Sequence, residues 1–135
     1  MENKQIAEIV TDYIEKNLNR ELNLDQVAEH AGYSKFYLNR CFQKEVGCTI
    51  YKYIQLRRMS ESARLLAETE MPIIGVALEA GYQSQQAFTD AFRDAYGCSP
   101  NSYRRTQNFW PVMPRYRSSG SNVISCLSLA GRMAA

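Results

Sequence analysis

The chain carries one pattern twice, and that repeat limits its folds more than any other feature. Val27, Ala28, Ala31, Gly32 and Tyr33 recur as Val76, Ala77, Ala80, Gly81 and Tyr82. After a one-residue insertion, Ser34, Leu38 and Phe42 recur as Ser84, Phe88 and Phe92, and Gly47, Cys48 and Tyr53 recur as Gly97, Cys98 and Tyr103. Such a repeat means that one supersecondary unit has been used twice. Each copy reads as helix, turn, helix. The first helix ends at a glycine suited to a left-handed cap (Gly32, Gly81). A serine (Ser34, Ser84) then accepts from the free N–H groups that open the second helix, which closes at Gly47 or Gly97. Two helices joined by a short Gly-containing turn describe a helix-turn-helix. A purely structural helix pair fits the same description, so the outward face of the second helix has to decide.

In the first copy Leu38, Cys41, Phe42 and Val46 form one apolar stripe, and Phe36, Asn39, Arg40 and Gln43 lie opposite, with Lys35 and Lys44 alongside. In the second copy Phe88, Ala91, Phe92 and Ala95 form the apolar stripe, and Gln85, Gln86, Thr89, Asp90 and Arg93 face out. Arg reads guanine edges, Asn and Gln read adenine edges, and an aromatic ring can touch the thymine methyl. An ordinary solvated face would also be polar. What favours base reading is that such side chains recur near the N-terminus of both second helices, where a recognition helix meets the bases. Phe36 adds to this, because an aromatic on the polar side has no core of its own to enter. The candidate base-reading set is therefore Phe36, Asn39, Arg40, Gln43, Gln85, Gln86, Thr89 and Asp90. The candidate phosphate contacts are Ser34, Lys35, Lys44, Ser84, Arg93, Ser99 and Arg104.

A spaced series from Leu56 to Arg104 resembles the AraC/XylS family of bacterial transcription factors. It comprises Arg58, Ala63, Leu66, Pro72-Ile73, Val76-Ala77, Gly81-Tyr82, Ser84, Phe88, Phe92-Arg93, Gly97, Ser99-Pro100 and Tyr103-Arg104. The run from Gly32 to Arg40 and the triplet Ser84-Gln85-Gln86 are most similar to the stand-alone MarA/SoxS/Rob subgroup. The resemblance covers about Ile6 to Arg105. It implies an all-α fold of about seven helices in two homeodomain-like subdomains joined by a long helix. It also implies a monomer that binds asymmetric promoter DNA, activates stress and multiple-antibiotic-resistance promoters, and has RNA polymerase as a partner. Phe36, Asn39 and Asp90 depart from the subgroup, which usually has Trp, Gln and Arg at these places. An acidic group is repelled by phosphates, although Asp can accept from cytosine N4, so Asp90 sets the second half-site apart.

The overall charge of +2 hides strong segregation. Residues 1–33 net −4, 34–58 net +5, 59–98 net −4 and 99–135 net +5. The basic stretch around the first recognition helix (Lys35, Lys44, Lys52, then Arg57 and Arg58) is what phosphate contact requires. Arg58 and Arg64 have structural pairing with Glu61, Glu68 or Glu70 as the alternative, which is favoured for Arg64. The single histidine, His30, and four cysteines without a C-x-x-C pairing argue against a metal site, and no cofactor is expected. Cys41, Cys48 and Cys98 read as packing residues rather than a thiol switch. No nucleophile–base arrangement or Gly-rich phosphate loop is present, so an enzyme is not expected.

Asn23 with Gln26 has the form of a capping box. Residues Ile50 to about Ala67 lack Gly and Pro and hold helical spacing, which predicts one connecting helix of roughly 27 Å. Two recognition helices entering successive major grooves must lie about 34 Å apart. The expected division is a first unit over 1–48, a linker helix over 49–68, a second unit over 69–107, and a tail over 108–135 that is mobile or loosely packed. No signal peptide or bilayer span is apparent, so the expected location is cytoplasmic, with no membrane partner and no small-molecule effector domain. The competing reading is an interaction module that mainly grips RNA polymerase and touches DNA weakly; Asp90 favours it and the basic stretch opposes it.

Overall fold

The computed structural model describes residues 2–118. Its helices are α1 (Glu2–Lys16), α2 (Leu24–Ala31), α3 (Lys35–Val46), α4 (Ile50–Glu68), α5 (Ile73–Glu79), α6 (Gln85–Tyr96) and α7 (Pro100–Thr106). No strand occurs among the described residues, and none of the helices is long and apolar enough to cross a membrane.

Short polar side chains decide where these helices start. Asn23 and Gln26 exchange bonds of 2.8 and 3.1 Å to open α2. Ser34 accepts from the Tyr37 N–H at 3.3 Å and Ser84 from the Ala87 N–H at 3.1 Å, so α3 and α6 begin in the same way. Thr49 and Ser99 cap α4 and α7 by the same device. Helix α5 lacks it. Pro72 lies at the cap position and provides only its carbonyl, to the Val76 N–H.

Both helix-turn-helix turns pass through a left-handed glycine, Gly32 at φ 80° and Gly81 at φ 90°. A side chain would strain that conformation. The tyrosine N–H beyond each glycine reaches back into the first helix, from Tyr33 to the Ala28 carbonyl and from Tyr82 to the Ala77 carbonyl. The inserted residue of the second copy, Gln83, is absorbed before Ser84, so both serine caps come out alike.

In the first unit α1 packs on α2 and α3, burying Ile6, Val10 and Ile14 in one cluster with Leu38, Phe42 and Val46. In the second unit α5 and α6 pack together, and α7 lies along α4. An aromatic column forms there: Phe92 stacks on Tyr96 at 4.6 Å and meets Tyr103 edge-on at 5.4 Å. Tyr96, rather than the smaller Ala91 and Ala95, completes the buried stripe of α6 with Phe88 and Phe92. Cys41 and Cys48 are buried, and burial pushes the Cys98 thiol up, away from the reactive thiolate; Cys126 lies outside the described residues.

The segment after α7 corrects the expectation of a loose tail over its described part. Residues 108–118 run as an irregular strap along α4, with Val112, Met113 and Tyr116 all at most 4% exposed. Burying side chains of this size stabilises by about 1.5–3 kcal/mol each as an upper estimate. Residues 119–135, the rest of the expected tail, lie outside the described part.

Arginines expected on the basic band turn out to be structural. Arg57 is 6% exposed. It forms a fork on Glu15 at 2.7 and 3.0 Å and donates to the Met113 carbonyl at 2.8 Å. Burial opposes its charge, and the bonds to Glu15 hold the charge in place. Arg58 makes no Glu pair; it donates to the carbonyls of Leu18 and Arg20 and so fastens the loop between α1 and α2 to α4. Arg64 pairs with Glu61 at 3.1 Å and Glu68 at 3.6 Å, in line with its favoured reading.

Candidate nucleic-acid interface

Helix α3 shows one face to the core and one to solvent. Leu38, Cys41, Phe42 and Val46 are buried, and Phe36, Arg40, Gln43 and Lys44 are exposed on the other side. Phe36 is 85% exposed, an unusual state for a phenyl ring with room to pack elsewhere. The Arg40 guanidinium sits 5.6 Å from the Tyr37 ring centre, which pre-orients a long flexible cation at little further entropy cost. Tyr37 is itself tied to Glu2 at 2.9 Å, and that bond pushes its hydroxyl up to about 12. Asn39 differs from its neighbours. It is half-buried, and its carboxamide oxygen accepts from the Ile50 N–H at 3.1 Å, at the start of α4. Its amide N–H groups are what remain for a base.

Helix α6 repeats the geometry with other chemistry. Gln85, Gln86 and Asp90 are exposed and Thr89 is half-buried. Gln86 donates from Nε2 to the Asp90 carboxylate at 2.9 Å, one turn along the same face. That bond turns the Gln86 carbonyl away from Asp90, so together the two side chains present mostly acceptors. No cation lies among these four, and Arg93 is the exposed basic residue of the last turn.

The phosphate candidates divide into free and committed groups. Lys44 and Arg93 are exposed. Lys35 pairs with Asp25 at 2.8 Å, a surface contact that screening makes weak and exchangeable. Ser34, Ser84 and Ser99 are helix caps whose oxygens already hold backbone N–H groups. Arg104 is half-buried and donates to the Leu66 and Met71 carbonyls, joining the end of α4 to the approach to α5. Its neighbour Arg105 is exposed. Lys52, part of the basic stretch read from the sequence, and Tyr51, which sequence reading did not single out, are both exposed in the first turn of α4. A cap such as Thr49 at the head of a helix carrying a lysine was the available signal.

Two helix-turn-helix units on a shared helix, each showing a polar recognition helix to solvent, define a DNA-binding transcription regulator. A family model described as a helix-turn-helix domain matches residues 27–106. The Multiple antibiotic resistance protein MarA of Escherichia coli (strain K12) is 41% identical over 97 residues, covering 72% of this chain and 76% of that protein. The HTH-type transcriptional activator AarP of Providencia stuartii is 42% identical over 99 residues, 73% of each chain. Among solved structures, the DNA-binding domain of AdpA, a global transcriptional factor, in complex with a target DNA is similar at a TM-score of 0.68. That pair is 26% identical over 75% of this chain and 90% of that one. The chain belongs to the AraC-type helix-turn-helix family of transcription regulators. It is not an enzyme.

Proposed function

We propose that this regulator activates stress and multiple-antibiotic-resistance promoters, binding as a monomer with α3 and α6 in successive major grooves. The observation that carries the DNA geometry is the exposure of Phe36, Arg40 and Gln43 on α3 together with Gln85, Gln86 and Asp90 on α6. Helix α4, of 19 residues, spans about 28 Å. With the width of the units it supports a separation near the 34 Å of one DNA turn, and bending of the DNA can supply the remainder. The promoter class and the activating role rest on the likeness to MarA and AarP. RNA polymerase is the partner such activation needs, and the cytoplasm is where the two would meet. Phe36, Arg40 and Gln43 read the first half-site, with Asn39 contributing its amide donors. Gln85, Gln86, Thr89 and Asp90 read the second. Lys44, Lys52, Arg93 and Lys35 provide phosphate contact.

Selection from a randomised duplex pool, followed by footprinting at two salt concentrations, tests this. The expected result is an asymmetric protected site of roughly 20 base pairs with two half-sites one turn apart, weakening steeply with salt. Absence of any enriched sequence would overturn it. That outcome would favour the interaction-module reading, in which the mutual Gln86–Asp90 bond leaves α6 without a base to read.

A further inference from the structure

We infer that the strap over residues 108–118 is a brace across the two helix-turn-helix units. It fixes the distance between α3 and α6 and so decides which half-site spacing the protein accepts. The spacing half of this rests on the DNA-binding reading above; the bracing half does not.

The strap is fastened at three places. On the second unit, the Tyr103 hydroxyl accepts from the Trp110 N–H at 2.9 Å and donates to its carbonyl at 3.2 Å. The Tyr96 hydroxyl donates to the same carbonyl and accepts from the Val112 N–H, each at 2.9 Å. The Trp110 ring lies against both tyrosines at 5.4 and 4.7 Å. At the middle of α4, Ser60 accepts from the Met113 N–H at 2.9 Å and donates to its carbonyl at 3.1 Å, while Arg57 donates to that carbonyl. Towards the first unit, the Tyr53 hydroxyl accepts from the Tyr116 N–H at 2.9 Å. Beyond it, Tyr116 donates to Glu45 at 2.7 Å, Arg115 to Asp12 and Ser118 to Glu8. Glu45 is on α3 itself, and Asp12 and Glu8 are on α1.

Tyr53 and Tyr103 are equivalent positions of the internal repeat. Each copy therefore presents the same buried hydroxyl, and the strap takes one at either end. Without it the units meet chiefly through α4. A bend of about 10° at the middle of a helix this long moves its far end by roughly 2.5 Å, most of the rise of one base pair. A single helix braced only by its own hydrogen bonds curves readily on that scale. The strap spans the place where such a bend would occur and is bonded on both sides of it.

The test compares the full chain with one ending at Gln107. Residual dipolar couplings of the amides, measured without DNA, report whether α1–α3 and α5–α7 share one alignment tensor. Binding to duplexes whose half-site spacer is lengthened or shortened by one base pair reports spacing. The full chain should show one tensor and prefer its own spacing by about tenfold, the scale of one mismatched pair. The shortened chain should show two tensors and a preference of about threefold or less. A shortened chain that stays folded with one tensor and an unchanged preference overturns the proposal. If shortening prevents folding, the triple variant Arg115→Ala/Tyr116→Phe/Ser118→Ala decides, because it removes the bonds to Asp12, Glu45 and Glu8 and keeps the buried ring. Unchanged couplings and spacing preference in that variant overturn the brace; a second tensor supports it. A chain that binds no DNA at all sinks the functional reading, while the couplings still judge the brace.

Discussion

The two units share a frame and differ in what they show. Serine caps open α3 and α6, left-handed glycines (Gly47 at φ 100°, Gly97 at φ 76°) close them, and an apolar stripe seats each against its own core. On the outer side α3 offers a phenyl ring, a ring-supported guanidinium and a lysine. On α6 two amides and a carboxylate take their place, with Gln86 bonded to Asp90. A frame held by caps and glycines leaves most of the outer face free to vary, because, Asn39 apart, the outer side chains do not hold the helices in place. Affinity should therefore be concentrated in the first unit, and the second should mainly discriminate.

The largest break in this comparison is Arg40→Ala. Removing a bidentate guanine contact costs about 1–3 kcal/mol, so specific binding should fall by roughly ten- to a hundredfold, with the preference lost at one base pair of the first half-site. Gln86→Ala should cost about tenfold less than that in affinity, since one of the Gln86 amide donors is already tied to Asp90. Electrophoretic mobility shift across a panel of single-base operator variants checks both. Equal losses would remove the asymmetry between the units.

Much of this frame is legible in the sequence because its determinants are local. A cap, a left-handed glycine and an apolar stripe each act within a few residues, and a repeat displays each of them twice. What sequence alone did not reveal depends on partners far along the chain. Arg57 reads as part of a basic band until Glu15, 42 residues away, is seen to hold it. Arg104 reads as a phosphate ligand until the Leu66 and Met71 carbonyls take its donors. The strap has no helical period to announce it; its order comes from backbone bonds to Tyr53, Ser60, Tyr96 and Tyr103, which no pattern within 108–118 specifies. Asn39 is a mixed case, legible as a polar outer residue but not as the acceptor for the head of α4.

The shared part of the frame can be tested by cutting the same bond in both units. Ser34→Ala and Ser84→Ala each remove one helix cap, at about 1 kcal/mol. Thermal unfolding followed by circular dichroism should show two losses of similar size, and both variants should keep the base preferences of the wild type. A loss confined to one variant would mean the caps are not equivalent in spite of their matching bonds.

Smaller in affinity, and opposite in sign to Arg40→Ala, is Asp90→Asn. Removing a carboxylate from beside the phosphates should raise binding to arbitrary DNA a few-fold, on the scale of one phosphate contact. A preference for cytosine in the second half-site, which the carboxylate can read through N4, should disappear. Sequencing of pools selected by both proteins checks this, and an unchanged second half-site with unchanged affinity would show that Asp90 does not face the groove.

A pH-dependent effect concerns the equivalent tyrosines Tyr53 and Tyr103. Burial pushes both hydroxyls up, Tyr53 to about 12, against about 10 for an exposed tyrosine. The neutral form is thus favoured in the folded protein. Its contribution is fully present below the unfolded value near 10 and is lost as pH rises through the folded value. Stability should hold to about pH 10 and fall between there and about pH 12, with tyrosinate absorbance appearing late for the buried rings. Tyr53→Phe should flatten the part of that fall that belongs to the first unit. It should also lower stability at neutral pH, because the Tyr116 N–H loses its acceptor. Tyr103→Phe should act on the second unit in the same direction, with two bonds to Trp110 lost instead of one. If Tyr53→Phe unfolds along the same alkaline curve as the wild type, the buried hydroxyl is not what limits the first unit at high pH, and the matching of the two tyrosines is one of position alone.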